Sequence, residues 1–309
     1  MSDVALRIEN LTKEYKISKG ERVRALDSLN LQVNAGTMFG LLGPQGAGKS
    51  TLLKILVGLS KPTKGRTLIF GREQRDWRTR ARIGFLTQEP CFCDFLTGEE
   101  LLLHTGRFFG IPPEESSKRA EELLSLVGLE EAKSRKIKDY SREMLQRIGI
   151  ARALINDPEL LLLDEPEAGL DPRNQKEIRG IITALSGRGK TILLTSSHLV
   201  ETGSICDSVA IIYQGRVTRR GRLTELLRKG EGKKVTFRIE KKGVLNTINA
   251  SYRSEEANGQ ITVHVPHQKA CDEIISTVLS RGGSIIRVED EQLSLEEIYQ
   301  EEILRETHV

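Results

Sequence analysis

The chain has no apolar run near the roughly 18 residues that a membrane-spanning helix needs. Its opening stretch, MSDVALRIEN, has no apolar signal core. These absences predict a soluble, cytoplasmic protein that meets a membrane only by docking on another protein. Charge of one sign is scarce as well. The balance is 47 basic against 43 acidic residues, a net +4. That excess is too mild to argue for a nucleic-acid partner. Cysteine is limited to Cys91, Cys93, Cys206 and Cys271, which fits a reducing compartment. The Cys91-x-Cys93 pair has no second pair or histidine cluster nearby, so it reads as a loop and not as a metal site. There is no internal repeat, no low-complexity segment and no long heptad run. At 309 residues the chain has room for a large core and a further small module.

Against these absences stands one complete motif, Gly43-Pro44-Gln45-Gly46-Ala47-Gly48-Lys49-Ser50, followed by Thr51. It matches the phosphate-loop pattern G-x-x-x-x-G-K-[ST] at every fixed position. Thr37 to Leu42 reads as a buried strand before it, and Leu52 to Leu56 opens a helix after it. The glycines let successive backbone N–H groups face phosphate oxygens. Lys49 can reach the β- and γ-phosphates, and the Ser50 hydroxyl suits Mg²⁺.

The remaining pattern alternates strands and helices. Residues 4–9 and 29–33 alternate as strands, and residues 66–70 form another. The arginine-rich 72–82 stretch reads as a solvated helix or loop. Ile83 to Thr87 is a buried strand ending at Gln88, and residues 97–155 are helical with breaks at Pro112-Pro113 and Gly128. Leu160 to Leu163 runs into Asp164-Glu165, and Thr191 to Thr195 ends just before His198. Apolar strands separated by helices predict an α/β fold with a mostly parallel sheet, its chemistry at the strand C-termini. Gln88, Asp164, Glu165 and His198 all fall at such ends.

Asp164-Glu165 lies some 115 residues after Lys49. Asp164 is placed to hold Mg²⁺, and Glu165 to polarise the water attacking a γ-phosphate. Past residue 222 the character changes. The Lys229–Lys234 stretch is a polar linker, and strands at 235–240, 261–266 and 284–288 with helices at 267–281 and 295–304 predict a small α+β module.

Residues 4–225 resemble the nucleotide-binding subunit of an ATP-binding-cassette transporter. The resemblance implies a P-loop NTPase core with an antiparallel β subdomain and a helical subdomain at about 90–155. It places the domains at 1–225 and 226–309 and implies ATP and Mg²⁺ as ligands. Tyr15 fits the aromatic that stacks on adenine. Gln88 fits the glutamine that touches Mg²⁺ and senses the membrane partner, and His198 fits the switch histidine at the γ-phosphate. Ala168-Gly169-Leu170-Asp171 resembles the loop after the catalytic glutamate, with alanine where serine is usual. The implied partners are a transmembrane permease and a second nucleotide-binding subunit, which would hold this chain on the cytoplasmic face of the membrane.

One motif departs from the family. Tyr140-Ser141-Arg142-Glu143-Met144 stands where Leu-Ser-Gly-Gly-Gln is usual. Ser141 and the following helix survive, but both glycines are gone. In the family this segment closes over ATP held by the other subunit, so the side chains at 142 and 143 are expected to obstruct that approach. Glu143 would add negative charge beside a triphosphate, which Arg142 could offset in part. The C-terminal module resembles the accessory domain of daunorubicin-resistance-type exporter ATPases, which points to export. Two other readings stand beside the transporter ATPase. One is a regulatory ATP-binding subunit with little turnover, favoured by the altered signature. The other is a non-transport cassette ATPase, which would ordinarily carry two cassettes or a coiled-coil insertion.

Overall fold

The computed structural model describes residues 4–17, 21–227, 232–239, 252, 254–257, 259–290 and 295–300. It divides into two compact units, the first ending at Gly221 and the second running Arg222–Glu301.

The first unit opens with a hairpin, β1 (Val4–Lys16) and β2 (Arg22–Asn34). Both strands extend well past the apolar alternation visible in the sequence. Their far ends are exposed and charged, held by a Glu14 carboxylate that accepts from Arg22 and Arg24 across the ladder. With β4 (Lys64–Ile69) and β5 (Arg72–Glu73) they make an antiparallel sheet in the order β2-β1-β4-β5. The arginine-rich stretch is thus a two-residue strand followed by a single-turn helix, α2 (Trp77–Arg80), capped by Asp76.

The central sheet has six strands in the order β10-β9-β3-β8-β7-β6. Its members are β3 (Met38–Leu42), β6 (Ile83–Leu86), β7 (Leu160–Asp164), β8 (Thr191–Ser196), β9 (Ser208–Tyr213) and β10 (Arg216–Arg222). The β9-β3-β8-β7-β6 pairings are all parallel. Every residue of β3, β7 and β8 is buried. This is why they read as continuous apolar runs: a sheet covered on both faces leaves no strand face for polar residues. Each buried leucine contributes about 1.5–3 kcal/mol, so the sheet is a rigid platform for the loops at its C-terminal edge. Helix α1 (Lys49–Leu56) follows β3 and buries Leu52, Leu53, Ile55 and Leu56.

Three helices form the inserted helical region, α3 (Gly98–Phe108), α4 (Pro113–Leu126) and α5 (Arg142–Leu154). Thr97 and Glu100 make a reciprocal capping box that fixes the start of α3. Helices α6 (Pro172–Ser186) and α7 (Leu199–Gly203) complete the unit.

The second unit begins with α8 (Leu223–Leu227). Its antiparallel sheet, ordered β12-β13-β11-β14, comprises β11 (Lys233–Arg238), β12 (Ser254–Ala257), β13 (Gln260–Val265) and β14 (Ser284–Asp290). The edge strand β12, Ser-Glu-Glu-Ala, carries no apolar alternation and so gives no strand signal in the sequence. Helix α9 (Gln268–Ser280) packs Ala270, Cys271, Ile274 and Val278 into a core with Val235, Phe237 and Val263. A final helix covers 295–300. Residues 229–231 of the expected linker, residue 240 of the expected strand at 235–240 and residues 301–304 of the expected last helix lie outside the described residues.

The core of the first unit and that of the second share no residue. A chain ending at Gly221 is therefore expected to stay folded and to bind ATP as tightly as the full chain. Thermal unfolding and calorimetric titration check this, and an aggregated or nucleotide-blind fragment would show that the cut divides a single cooperative unit.

Candidate functional site

The loop between β3 and α1 wraps around the Lys49 side chain, which is only 3% exposed. Its ammonium donates to the carbonyls of Gly43 (2.8 Å) and Pro44 (3.0 Å). It also pairs with Glu165 Oε1 at 3.0 Å. Two glycines are sterically required. Gly48 has φ 108°, and a Cβ there would come within 2.5 Å of the Ala25 carbonyl. At Gly43 a Cβ would meet the Ile212 carbonyl at 2.2 Å. The loop is thus pressed against the chain on two sides. Within it Ala47 N–H donates to Pro44 O, and Gly215 N–H donates to Ala47 O.

Parallel pairing sets Asp164, at the end of β7, opposite Thr195 on β8. Thr195 Oγ1 donates to Asp164 Oδ1 at 2.7 Å and accepts from Glu165 N–H at 3.0 Å. Ser50 Oγ donates to the same Asp164 oxygen at 3.1 Å. Burial pushes the Asp164 carboxyl above its ordinary pKa, against the hydrogen bonds from Thr195 and Ser50. Gln88, just after β6, donates to Glu165 Oε2 at 3.3 Å. Its own carbonyl accepts from Gln146 of α5. Glu165 sits at φ 45°, left-handed backbone that a glutamate adopts at a cost on the order of 1 kcal/mol.

Lys49, Ser50, Gln88, Asp164 and Glu165 thus meet at one point. Lys49, Ser50, Gln88 and Glu165 line a cavity of about 140 Å³ there, together with Gln45, Gly46 and Thr51. Tyr15, His198, Asp171 and Ser141 do not line that cavity. Tyr15 is half-exposed on β1, with the Lys13 ammonium 4.7 Å from its ring centre. His198 is exposed beyond β8, its N–H donating to Ser196 Oγ. Asp171 caps α6, accepting from the N–H groups of Arg173 and Asn174. The Asn174 N–H foremost holds its carboxyl below the usual range. Ser141 caps α5, accepting from Met144 N–H at 3.2 Å.

The residues that replace the signature glycines are engaged within the chain. Glu143 Oε1 accepts from Arg147 Nε at 2.7 Å, and Arg147 also pairs with Glu177 of α6. The Arg142 guanidinium lies where a side chain on Gly169 would be, 2.3 Å from the position of its Cβ. Glu143 therefore has its countercharge one helical turn away.

A phosphate loop after β3 of a buried parallel sheet, facing Asp-Glu at the end of β7, the next strand but one, defines a P-loop nucleotide-binding protein of the ATPase type. The model of the ABC transporter family matches residues 26–168. An uncharacterised ABC transporter ATP-binding protein of Synechocystis is 36% identical over 94% of this chain and 84% of that protein. The daunorubicin resistance ATP-binding protein of Streptomyces coeruleorubidus is 35% identical over 81% of this chain and 78% of its own length. Among solved structures, the dimeric post-hydrolysis state of the ATP-binding cassette MJ0796 bound to ADP and Pi matches with TM-score 0.65. Identity there is 31%, over 71% of this chain and 98% of that one. The chain belongs to the ATP-binding proteins of ABC transporters. No described helix is long and apolar enough to cross a membrane.

Proposed function

We propose that this chain hydrolyses ATP to drive a separate transmembrane permease, working as one half of an ATP-sandwich dimer, and that the direction is export. The observation that carries the reading is the joint placement of Lys49, Glu165, Asp164 and Ser50 around one point. Relatedness to a daunorubicin resistance protein supports export, since removing a drug from the cell confers resistance to it.

Each residue then has a task. The loop N–H groups and Lys49 bind the phosphates, and Tyr15 offers an exposed ring for the base. Glu165 takes a proton from the attacking water as general base. Thr195 fixes both acidic residues by bonding Asp164 and the Glu165 backbone with one hydroxyl. His198 lies beyond the neighbouring strand end, where it would meet the γ-phosphate. Asp171 and Ser141 would face the partner subunit's nucleotide.

The donor set fits Mg²⁺. Ser50 and Asp164 present oxygens 3.1 Å apart. No group of three acidic, histidine or cysteine side chains forms a metal cage among the described residues. A hard cation held by few protein oxygens and completed by substrate phosphates is the Mg²⁺ habit. Ser50, Asp164 and Gln88 would hold it, and it would neutralise charge on the phosphates.

ATP turnover by the chain assembled with its permease tests the reading, with phosphate release as the measurement. A complex that binds ATP and releases no phosphate would favour the regulatory alternative. The altered signature supplies its own test. Replacing Arg142→Gly together with Glu143→Gly restores close backbone approach and is expected to raise turnover at saturating ATP. A tenfold gain corresponds to about 1.4 kcal/mol of barrier. A flat or lower rate would show that the contacts to Gly169 and Arg147 position the segment and do not obstruct it.

A further inference from the structure

The arginine-rich stretch 72–82 has no task in the proposed reaction. It carries five arginines against two acidic residues, a local +3 in a chain whose total is +4. The fold pins it from one side. Gln74 and Thr79 are buried, Asp76 accepts from Arg78 N–H at 2.9 Å to cap α2, and Asn156 donates to the Ala81 carbonyl at 2.6 Å. Arg82 pairs with Glu159 and lies over the Phe70 ring, 4.0 Å from its centre. The other four arginines face water. Arg72, Arg75, Arg78 and Arg80 are exposed, and none has an ion-pair partner among the described residues.

Large apolar side chains stand among them. Trp77, the chain's single tryptophan, is 66% exposed at the start of α2, with the Arg78 guanidinium 5.3 Å from its ring centre. Arg80, three residues on and on the same side of that turn, reaches the chain just past α1. A Cβ on Gly58 would lie 3.5 Å from its Cδ and Nη1. The next residue, Leu59, is 70% exposed. A lone exposed leucine or tryptophan needs no explanation. Here both border unpaired guanidinium groups, on a surface whose backbone is held in place from below.

We infer that this surface rests on an anionic lipid membrane. Arg72, Arg75, Arg78 and Arg80 meet lipid phosphates, while Trp77 and Leu59 enter the headgroup boundary. The proposed function brings the chain to a membrane, and the inference rests on that reading for proximity alone; the contact is with lipid and not with the permease. A free polyanion such as RNA would meet the arginines and stack on Trp77, but it would leave Leu59 in water. A membrane interface offers phosphate and an apolar boundary side by side, and tryptophan favours that depth. A few arginines with two apolar side chains give weak, reversible binding, which suits a chain that a permease also holds.

The test needs no permease. The full chain is titrated with vesicles of equal parts phosphatidylglycerol and phosphatidylcholine, and the emission of Trp77 is read directly, since the chain has no other tryptophan. The emission is expected to shift to the blue, and lipids brominated near the headgroup should quench it. Pure phosphatidylcholine vesicles should do neither, and added salt should weaken the response. Each arginine near an anionic surface is worth about fivefold in affinity, so Arg78→Gln together with Arg80→Gln should weaken binding roughly thirtyfold. Leu59→Ser, at an exposed position, is a second variant and should weaken it severalfold. ATP titration confirms that each variant is folded. No shift with anionic vesicles, an equal shift with neutral ones, or undiminished binding by either variant would overturn the inference. So would an unstructured RNA that binds the chain as tightly as the vesicles do at the same salt. Those outcomes leave the proposed ATPase standing. A chain that releases no phosphate with its permease, yet still answers to the vesicles, would overturn the ATPase reading and leave the lipid contact in place.

Discussion

Glu165→Gln is expected to bind ATP at least as tightly as the unaltered chain while turnover falls by about 10²–10⁴, the usual worth of a general base. The amide keeps the size of the side chain and an oxygen for the Gln88 donor, but it cannot take a proton from water. The structure adds a reason for the retained affinity. Glu165 holds the Lys49 ammonium at 3.0 Å, so phosphate must displace a carboxylate to reach it. A neutral side chain removes that competition. The variant should accumulate as a closed, ATP-bound dimer, measurable by size-exclusion chromatography with Mg²⁺ and ATP beside a phosphate-release assay. Turnover at the unaltered rate would refute the role given to Glu165.

Lys49→Ala acts one step earlier, on binding itself. A charge-assisted hydrogen bond contributes about 1.5–3 kcal/mol, which predicts an ATP affinity roughly ten- to hundredfold weaker. Two further losses point the same way. The Gly43 and Pro44 carbonyls lose the donor that gathers the loop, and Glu165 is left facing the phosphates without its cation. Calorimetric titration with Mg²⁺ present gives the dissociation constant. An unchanged value would mean that the 43–51 loop does not hold the nucleotide.

What could be read from the sequence was what is local. The phosphate loop is contiguous, so residue type and spacing carried it whole. The strands β3, β7 and β8 were legible because burial on both faces leaves an unbroken apolar run, and this placed Asp164 and Glu165 at a strand end. Thr195 was missed. Its partnership with Asp164 comes from the β7–β8 register, and nothing in a threonine thirty residues away announces it. The hairpin was read too short because charged pairs, not apolar alternation, hold its outer half. Arg142 and Glu143 were legible as departures, yet their partners were not. The loop before α6 brings Gly169 to Arg142 and one helical turn brings Arg147 to Glu143, and neither shows in a linear reading. Tyr15, Ser141 and Asp171 were nominated by resemblance, and within a single chain they serve as a surface ring and two helix caps.

The left-handed backbone at Glu165 separates what the fold prefers from what the site requires. Glycine or asparagine would sit at φ 45° with less strain, and folding alone would draw the position toward them. This chain has a glutamate there instead, in contact with the buried ammonium of Lys49. Selection for a stabler chain and selection for a working one therefore pull this single position in opposite directions. Library enrichment by folding yield and by activity should part company at this position.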